Sequence, residues 1–554
     1  MKKSVIAIGL DAADPSLIET WISQGKLKNL CRLREQGMYQ RLKTFEYYRA
    51  ETPWTTFLTG CSPQKTGYWS PVKFREATYG TQQIQAYDFG EYKPFYALGD
   101  RYRVAVVDMP QAPLSDDVNG IQLLAWGAHS PQTPSHSNPS SLFQEMLEKH
   151  GEHPVLRKDH ASIMDVEALR HLQQALKTGI ARRSAICQDL IQRDRWDLFL
   201  TIFGETHGGG HYLWHLSQPD HPLYDAIGSQ YAADALLEIF EEIDQAIGEI
   251  LAKAPEDSQV IVFAAHGMGG NVMDLPSMVF LPEFLYRFNF PGKFGIARGI
   301  PGQPLGAPIT GRRAKRGWLG SIWSLKHESN PIKGFLRRTL PTKIFNRIVP
   351  IFGTPQYPDL ISPFVLRTQA EPFYYQPAVW YKAFWSQMKA FALPSFSEGY
   401  IRINLQGREP QGVVLPSEYE ALCDELSQAL YQLKDARTGT PMVKNIIRTR
   451  QALDTCSPDK LPDADLVIIW QDEHITDTVE SPDVGRIGPV PYHRTGSHRS
   501  DGFVMVQGSA ISHESIQSAG HALDLAPTIL EMMGASIPQH MEGNPLVKRA
   551  ALIP

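Results

Sequence analysis

His207 and His211 stand four residues apart in "GETHGGGHYLWH" (204–215), and His215 extends the series. On a helix that interval puts imidazoles on one face, the spacing used by pairs of metal ligands. Three consecutive glycines between them argue against a regular helix, yet they let backbone and ligand approach closely. His215, between Trp214 and Leu216, reads as packing or support for the other two. Three further groups that could join a metal site lie far away in sequence: Asp11 in "IGLDAAD", His266 in "VIVFAAHGMGG", and His498 in "YHRTGSHRSDGF", which also offers His493. Imidazole and carboxylate together suit zinc, manganese or iron.

A second kind of chemistry is offered by "RAETPWTTFLTGCSPQKTGYW" (49–69), with hydroxyls at Thr52, Thr55, Thr56 and Thr59. Thr52 precedes Pro53, as a residue capping a helix start does. A hydroxyl at that position beside a dication is placed to act as a nucleophile on an anionic substrate. Thr55 is second in line. Lys65, Arg494 and Arg499 could neutralise substrate oxygens, although solvation at the surface is the plainer reading of each.

These residues become a site only if the elements that carry them converge. Six short apolar runs, at 4–10, 102–110, 196–205, 259–267, 464–471 and 501–508, read as buried strands. Amphipathic stretches alternate with them, such as "HLQQALKTGIARRSAICQDLIQ" and "YAADALLEIFEEIDQAIGEILAKA". The fold class expected is therefore α/β, a doubly wound and mainly parallel sheet covered on both faces. Ligands of such sheets bind outside the carboxyl ends of the strands, and Asp11, Glu205 and His266 all stand at those ends.

Between about 275 and 400 the pattern changes to Pro, Gly and aromatic residues. The expected organisation is a discontinuous sheet domain, 1–275 and 400–554, around an inserted cap at 276–399. From Arg312 to Arg347 the chain holds ten Lys/Arg and one acid, Glu328. A solvated basic lid is the plainer reading of this segment, and contact with a membrane surface or an anionic substrate is the other.

Composition excludes some classes. The formal charge of -5 over 554 residues argues against a protein built to hold nucleic acid. Five cysteines without CxxC spacing suggest neither a disulfide framework nor a thiolate zinc site, and place the chain by expectation in the cytoplasm. The apolar run after "MKK" is too short for a signal peptide and ends on Asp11, so it reads as the first buried strand.

Taken together, Asp11, the threonine-rich helix start with "TGCSP", the paired histidines, "HGM" and "GSHRSDG" resemble the alkaline phosphatase superfamily, in its type I phosphodiesterase/nucleotide pyrophosphatase branch. "GYIRINLQGREPQGVV" and "GHALDLAPTILEMMGASIPQHMEGNPL" are similar to further motifs of that family. The resemblance implies an alkaline phosphatase-like fold and divalent ions at an in-line displacement on phosphorus. It assigns Asp11 and His266 to one metal position, and His207, His211 and His498 to the other.

Two departures from the family's pattern stand out. Its Asp-His-Gly is here Ala265-His266-Gly267, and its first ligand of the paired motif, an aspartate, is His207. Both remove negative charge, which favours one ion over two unless Glu51 or Glu205, the nearest carboxylates in sequence, is recruited. The nucleophile also moves: family spacing from Thr59-Gly60 lands on Ala50, so Thr52 takes the role. A sulfatase would need Cys or Ser there. The function expected is metal-dependent hydrolysis, or group transfer, of a small phosphodiester or other phosphate ester. The rival is a non-catalytic descendant that binds an anionic ligand or partner.

Overall fold

The computed structural model of the chain describes residues 4–84, 91–127, 134–155, 165–231, 234–309, 317–353, 358–451, 460–508 and 520–548. Nine strands form the central sheet: β1 (Val5–Leu10), β2 (Met38–Lys43), β3 (Gly99–Val107), β4 (Val118–Leu124), β5 (His136–Asn138), β6 (Leu198–Phe203), β7 (Gln259–Ala264), β8 (Asp501–Gln507) and β9 (Gly520–His521). Their spatial order is β9-β2-β8-β7-β1-β6-β3-β4-β5. The four pairings from β7 across to β4, and the one from β2 to β9, are parallel, whereas β8 runs antiparallel to both β7 and β2, and β5 to β4. The sheet is thus mainly parallel, as expected.

Continuous apolar runs mark β1, β6 and β7 because each is buried at every residue. Both faces are covered. The helices that matter for the site are α1 (Pro53–Thr59), α2 (Val166–Ile191), α3 (Glu205–Leu213), α4 (Ala235–Leu251) and α5 (Leu525–Met533). On one face Ile6, Ile8 and Phe199 pack against Leu176 and Ile180 of α2 and Ile239 and Ile243 of α4. On the other, Ala7, Leu200 and Ile261 pack against Phe57 of α1 and Ile529 of α5.

The domain boundaries differ from expectation. "ADLVIIWQ" does form a strand, Leu466–Trp470, but in a separate four-stranded antiparallel sheet with Ala390–Ala392, Gly399–Ile403 and Val443–Arg448. The second body therefore does not end at 399: Leu281, Trp380, Ile401, Ile468 and Tyr492 share one core. The central sheet resumes only at Asp501. A fully buried five-residue strand looks the same in either sheet, which is why the run at 464–471 misled the boundary.

At the carboxyl edge of the central sheet, several strands leave through strained turns. Ala12, Asp108 and Ala125, just past the ends of β1, β3 and β4, have φ near +55° (55°, 53° and 55°). Non-glycine residues in this region cost about 1 kcal/mol or more each, so surrounding packing must hold them. Part of that hold comes from Arg183 of α2, which is fully buried. Its Nη1 donates to Asp108 Oδ2 at 2.6 Å and its Nε to Glu205 Oε1 at 3.0 Å. His153 Nε2 lies 3.0 Å from the same Glu205 oxygen. Burial alone would raise the Glu205 carboxyl, but Arg183 and His153 outweigh it and hold the group below its ordinary range. Arg183→Met would leave two buried carboxylates without their cation. It should cost about 3–5 kcal/mol in urea unfolding, with an unchanged m-value.

Candidate metal centre

"GETHGGGHYL" folds as a regular helix, α3, despite its glycines. The reason lies in its neighbours. A Cβ on Gly210 would stand 2.8 Å from the Met268 side chain, and one on Gly496 would stand 2.1 Å from the Gly210 carbonyl oxygen. Any larger residue would push the helix off the antiparallel pair formed by Gly267–Gly270 and Gly496–Arg499. Close approach brings His211 against that pair. Thr495 N donates to the His211 carbonyl at 2.9 Å, and His211 Nδ1 donates to the Gly496 carbonyl at 2.7 Å.

That second bond fixes the tautomer: with the proton on Nδ1, the lone pair of His211 sits on Nε2. Nε2 faces His207 Nε2 at 3.0 Å. His498 completes the group, its ring centroid 5.1 Å from that of His207 and 5.0 Å from that of His211. One nitrogen from each of the three lies within 4.8 Å of the others, and all three side chains are buried. An imidazole whose other nitrogen donates to a carbonyl is the arrangement metal-ligating histidines adopt.

The second half of the expected site lies beside it. His266 stacks on His498 at 4.9 Å between centroids, and its Nε2 is 3.8 Å from Asp11 Oδ1. Asp11 is buried at the end of β1, where Trp54 Nε1 of α1 donates to its Oδ1 at 3.0 Å and Thr206 of α3 donates to its carbonyl at 2.6 Å. Asp11, His207, His211, His266 and His498 are thus brought together from four separate stretches of chain. Ala265 is buried among Phe57 and Phe263 in the core and offers no charge.

The two proposed replacement carboxylates do not join. Glu205 points to Arg183 and His153. Glu51 points the other way, accepting from Ser397 Oγ at 2.7 Å and Tyr400 OH at 3.0 Å. Besides Asp11, a second carboxylate reaches the histidines through an arginine: Asp274, which nothing in its spacing marked. Its Oδ2 accepts from Arg494 Nε at 2.8 Å, and Arg494 Nη1 donates to the His211 Nε2 lone pair at 3.0 Å, a bond that a bound ion would replace. Arg494 is therefore part of the site and not a solvated surface cation. Arg499, by contrast, is taken up by the Gly270 and His498 carbonyls, and Lys65 donates to the His540 carbonyl.

Thr52 stands at the N-cap position of α1, but its side chain accepts no backbone N–H there: its hydroxyl donates to the Tyr48 carbonyl at 2.9 Å. Thr55 Oγ1 donates to Gln111 Oε1 at 3.3 Å. His215 lies 3.0 Å from Thr495 Oγ1 through Nδ1, and burial pushes it down to about 4, so it stays neutral as a support.

The sequence model described as type I phosphodiesterase / nucleotide pyrophosphatase matches residues 5–287, just over half of the chain. A comparison with curated proteins finds no match. Among solved structures, phosphonoacetate hydrolase from Sinorhizobium meliloti 1021 in complex with phosphonoformate is similar over 96% of this chain and 96% of its own, at 11% identity and a TM-score of 0.49. Murine ectonucleotide pyrophosphatase/phosphodiesterase 5, in an inactive form with AMP, is similar over 99% and 100%, at 11% identity and 0.44. Alkaline phosphatase PafA is similar over 98% of both chains, at 12% identity and 0.46.

Glu51 yields a pH prediction. Burial first, and the neighbouring Glu398 second, push its carboxyl up from 4.5 to about 7. Ser397 has one hydroxyl proton for two carboxyl groups, 2.7 Å and 2.6 Å away, so a protonated partner completes the network. A raised acid stabilises the fold fully below its unfolded value, and that contribution drains away as pH rises from about 4.5 through about 7. Glu51→Gln keeps the polar shape without the titration. Its melting temperature should match wild type near pH 5 and exceed it at pH 8, as thermal melts across that range would read.

Proposed function

Because the chain belongs to the type I phosphodiesterase / nucleotide pyrophosphatase family, whose members are phosphoester hydrolases of the alkaline phosphatase superfamily, we propose that it hydrolyses a small anionic phosphate ester, a phosphodiester first, at the histidine centre. The observation that carries this reading is the buried His207, His211 and His498 group, with its lone pair at His211 Nε2 set by the Gly496 carbonyl.

The donor set suits a borderline dication, zinc before manganese or iron. His207, His211 and His498 would hold it, with Asp11 and His266 flanking. One carboxylate at five such positions supports one ion better than two. When bound, the ion supplies Lewis-acid stabilisation of the charge that grows on the phosphoryl oxygens.

The chain's own residues do the rest. Arg494, braced by Asp274, offers fixed N–H donors to a non-bridging oxygen of the ester. Thr52 attacks phosphorus as its hydroxyl turns away from the Tyr48 carbonyl, at a helix start whose field favours anions. The P–O bond to the ester's alcohol breaks as the threonine O–P bond forms, the alcohol leaving with the proton the threonine gives up; water then cleaves the phosphothreonine, freeing the phosphoryl group and restoring the hydroxyl. Arg183, Glu205 and His153 keep the base of α3 in place without touching the reacting atoms.

The test is hydrolysis of bis(p-nitrophenyl) phosphate by purified protein, chelated and then resupplied with zinc, manganese or iron. Activity should vanish on chelation and return with metal. His498→Ala should lose bound metal, and Thr52→Ala should retain metal while kcat falls on the order of a thousandfold. Wild-type turnover in Thr52→Ala would remove the threonine from the mechanism. Ester binding without hydrolysis under every metal would leave the anion-binding protein as the reading.

A further inference from the structure

Independently of the chemistry at the histidines, we propose that the protein docks on anionic lipid surfaces through the outer face of the helical hairpin Pro331–Thr339 and Thr342–Ile348 and the turn Val349–Phe352. Four large apolar side chains stand in solvent within these 22 residues: Ile332 (66% exposed), Phe335 (60%), Ile344 (48%) and Ile351 (81%). Monomeric proteins seldom expose apolar groups at this density without a use. Ile332 and Phe335 are three residues apart on the first helix and share a side, and Arg338 follows at the same interval. Arg338 and Arg347 are exposed as well.

The hairpin is seated on the protein by its other side. Arg337 is buried against Glu328 and lies over the rings of Trp323 (5.2 Å) and Phe345 (4.6 Å). Asn330 caps the first helix, accepting from Ile332 N and Lys333 N. The exposed apolar groups therefore belong to an anchored element.

Charge selects the occupant. From Lys326 to Arg347 the chain has six Lys/Arg and one acid, Glu328. Glu328 is already engaged by Lys326, Lys333 and Arg337, so the stretch offers no acid to offset Arg338 and Arg347. A second copy of this chain would set like charges face to face. Apolar side chains flanked by cations are the pattern that inserts shallowly among anionic headgroups. The four cations at Arg312, Arg313, Lys315 and Arg316 lie outside the described residues. Among the described residues no helix is long and apolar enough to cross a membrane, so docking would be peripheral.

The hairpin is also joined to the site. Trp323, over which Arg337 lies, sits on the helix Gly317–Ser324. The same helix carries Trp318, whose Nε1 donates to the Pro491 carbonyl at 3.0 Å and whose ring is 4.5 Å from His493, next to Arg494.

Full-length protein should be sedimented with vesicles of phosphatidylcholine containing about 30% phosphatidylglycerol, and with phosphatidylcholine alone. Binding is expected on the anionic vesicles only, and is expected to weaken in about 1 M salt. Arg338→Gln with Arg347→Gln should weaken partitioning about thirtyfold, at between about five- and sixfold per cation removed. Phe335→Ser with Ile351→Ser should weaken it at least about tenfold. Both double variants should keep the wild-type melting temperature, which separates lost docking from lost folding. Absence of binding to the anionic vesicles, equal binding to the neutral ones, or variants that bind as wild type would overturn the proposal. So would concentration-dependent dimerisation that the same substitutions abolish in protein that ignores vesicles.

Discussion

A Cβ at Gly496 would lie 2.1 Å from the Gly210 carbonyl oxygen, and the whole site rests on that closeness. Each helical glycine costs on the order of 1 kcal/mol relative to alanine, and α3 carries three in a row. What offsets them is tertiary: the helix can lie directly on the pair Gly267–Gly270 and Gly496–Arg499, and there His211 donates to the Gly496 carbonyl. From that bond follow the orientation of the ring, the position of its lone pair and the convergence of His207 and His498 on it. The buried Arg183 ion-pair group secures the other end of the helix through Glu205.

The electrostatic character of the centre then follows from what surrounds the imidazoles. Where the family's pattern puts carboxylates, this chain has Ala265 and His207, and a cation, Arg494, stands 3.0 Å from His211 Nε2. The nearby negative charge sits one bond further out, on Asp274, and acts through the guanidinium. On the proposed reading, such a centre would hold less metal charge and engage an anion more directly than a carboxylate-rich one. Asp11 remains as the flanking carboxylate, oriented by Trp54 at 3.0 Å. The start of α1 is thereby tied to the site.

Much of this arrangement was legible in the residues, for a physical reason. Strands buried on both faces must be apolar throughout, so β1, β6 and β7 announced themselves, and polar groups at their ends had to be explained by something other than packing. β2 went unseen because it carries Gln40, Arg41 and Lys43 among its six residues. The strand Leu466–Trp470 is legible as a strand but not as a member of the smaller sheet, since composition records burial and not neighbours. Glu51 and Glu205 lie near the expected nucleophile and ligands along the chain, but their carboxyl groups face Ser397 and Arg183 in other directions. Asp274 could not be found this way: its partner Arg494 is 220 residues distant, and a lone aspartate after a strand looks like any turn.

The central claim is that three imidazoles from α3 and the strand Gly496–Arg499 form a metal centre. Anomalous diffraction at the zinc edge, on crystals grown with zinc and a non-hydrolysable phosphodiester analogue, tests it most directly. The account predicts a single ion about 2.0–2.1 Å from nitrogens of His207, His211 and His498, with Arg494 on the analogue. An analogue held by Arg494 and the histidines themselves, with no anomalous peak among them, would contradict it.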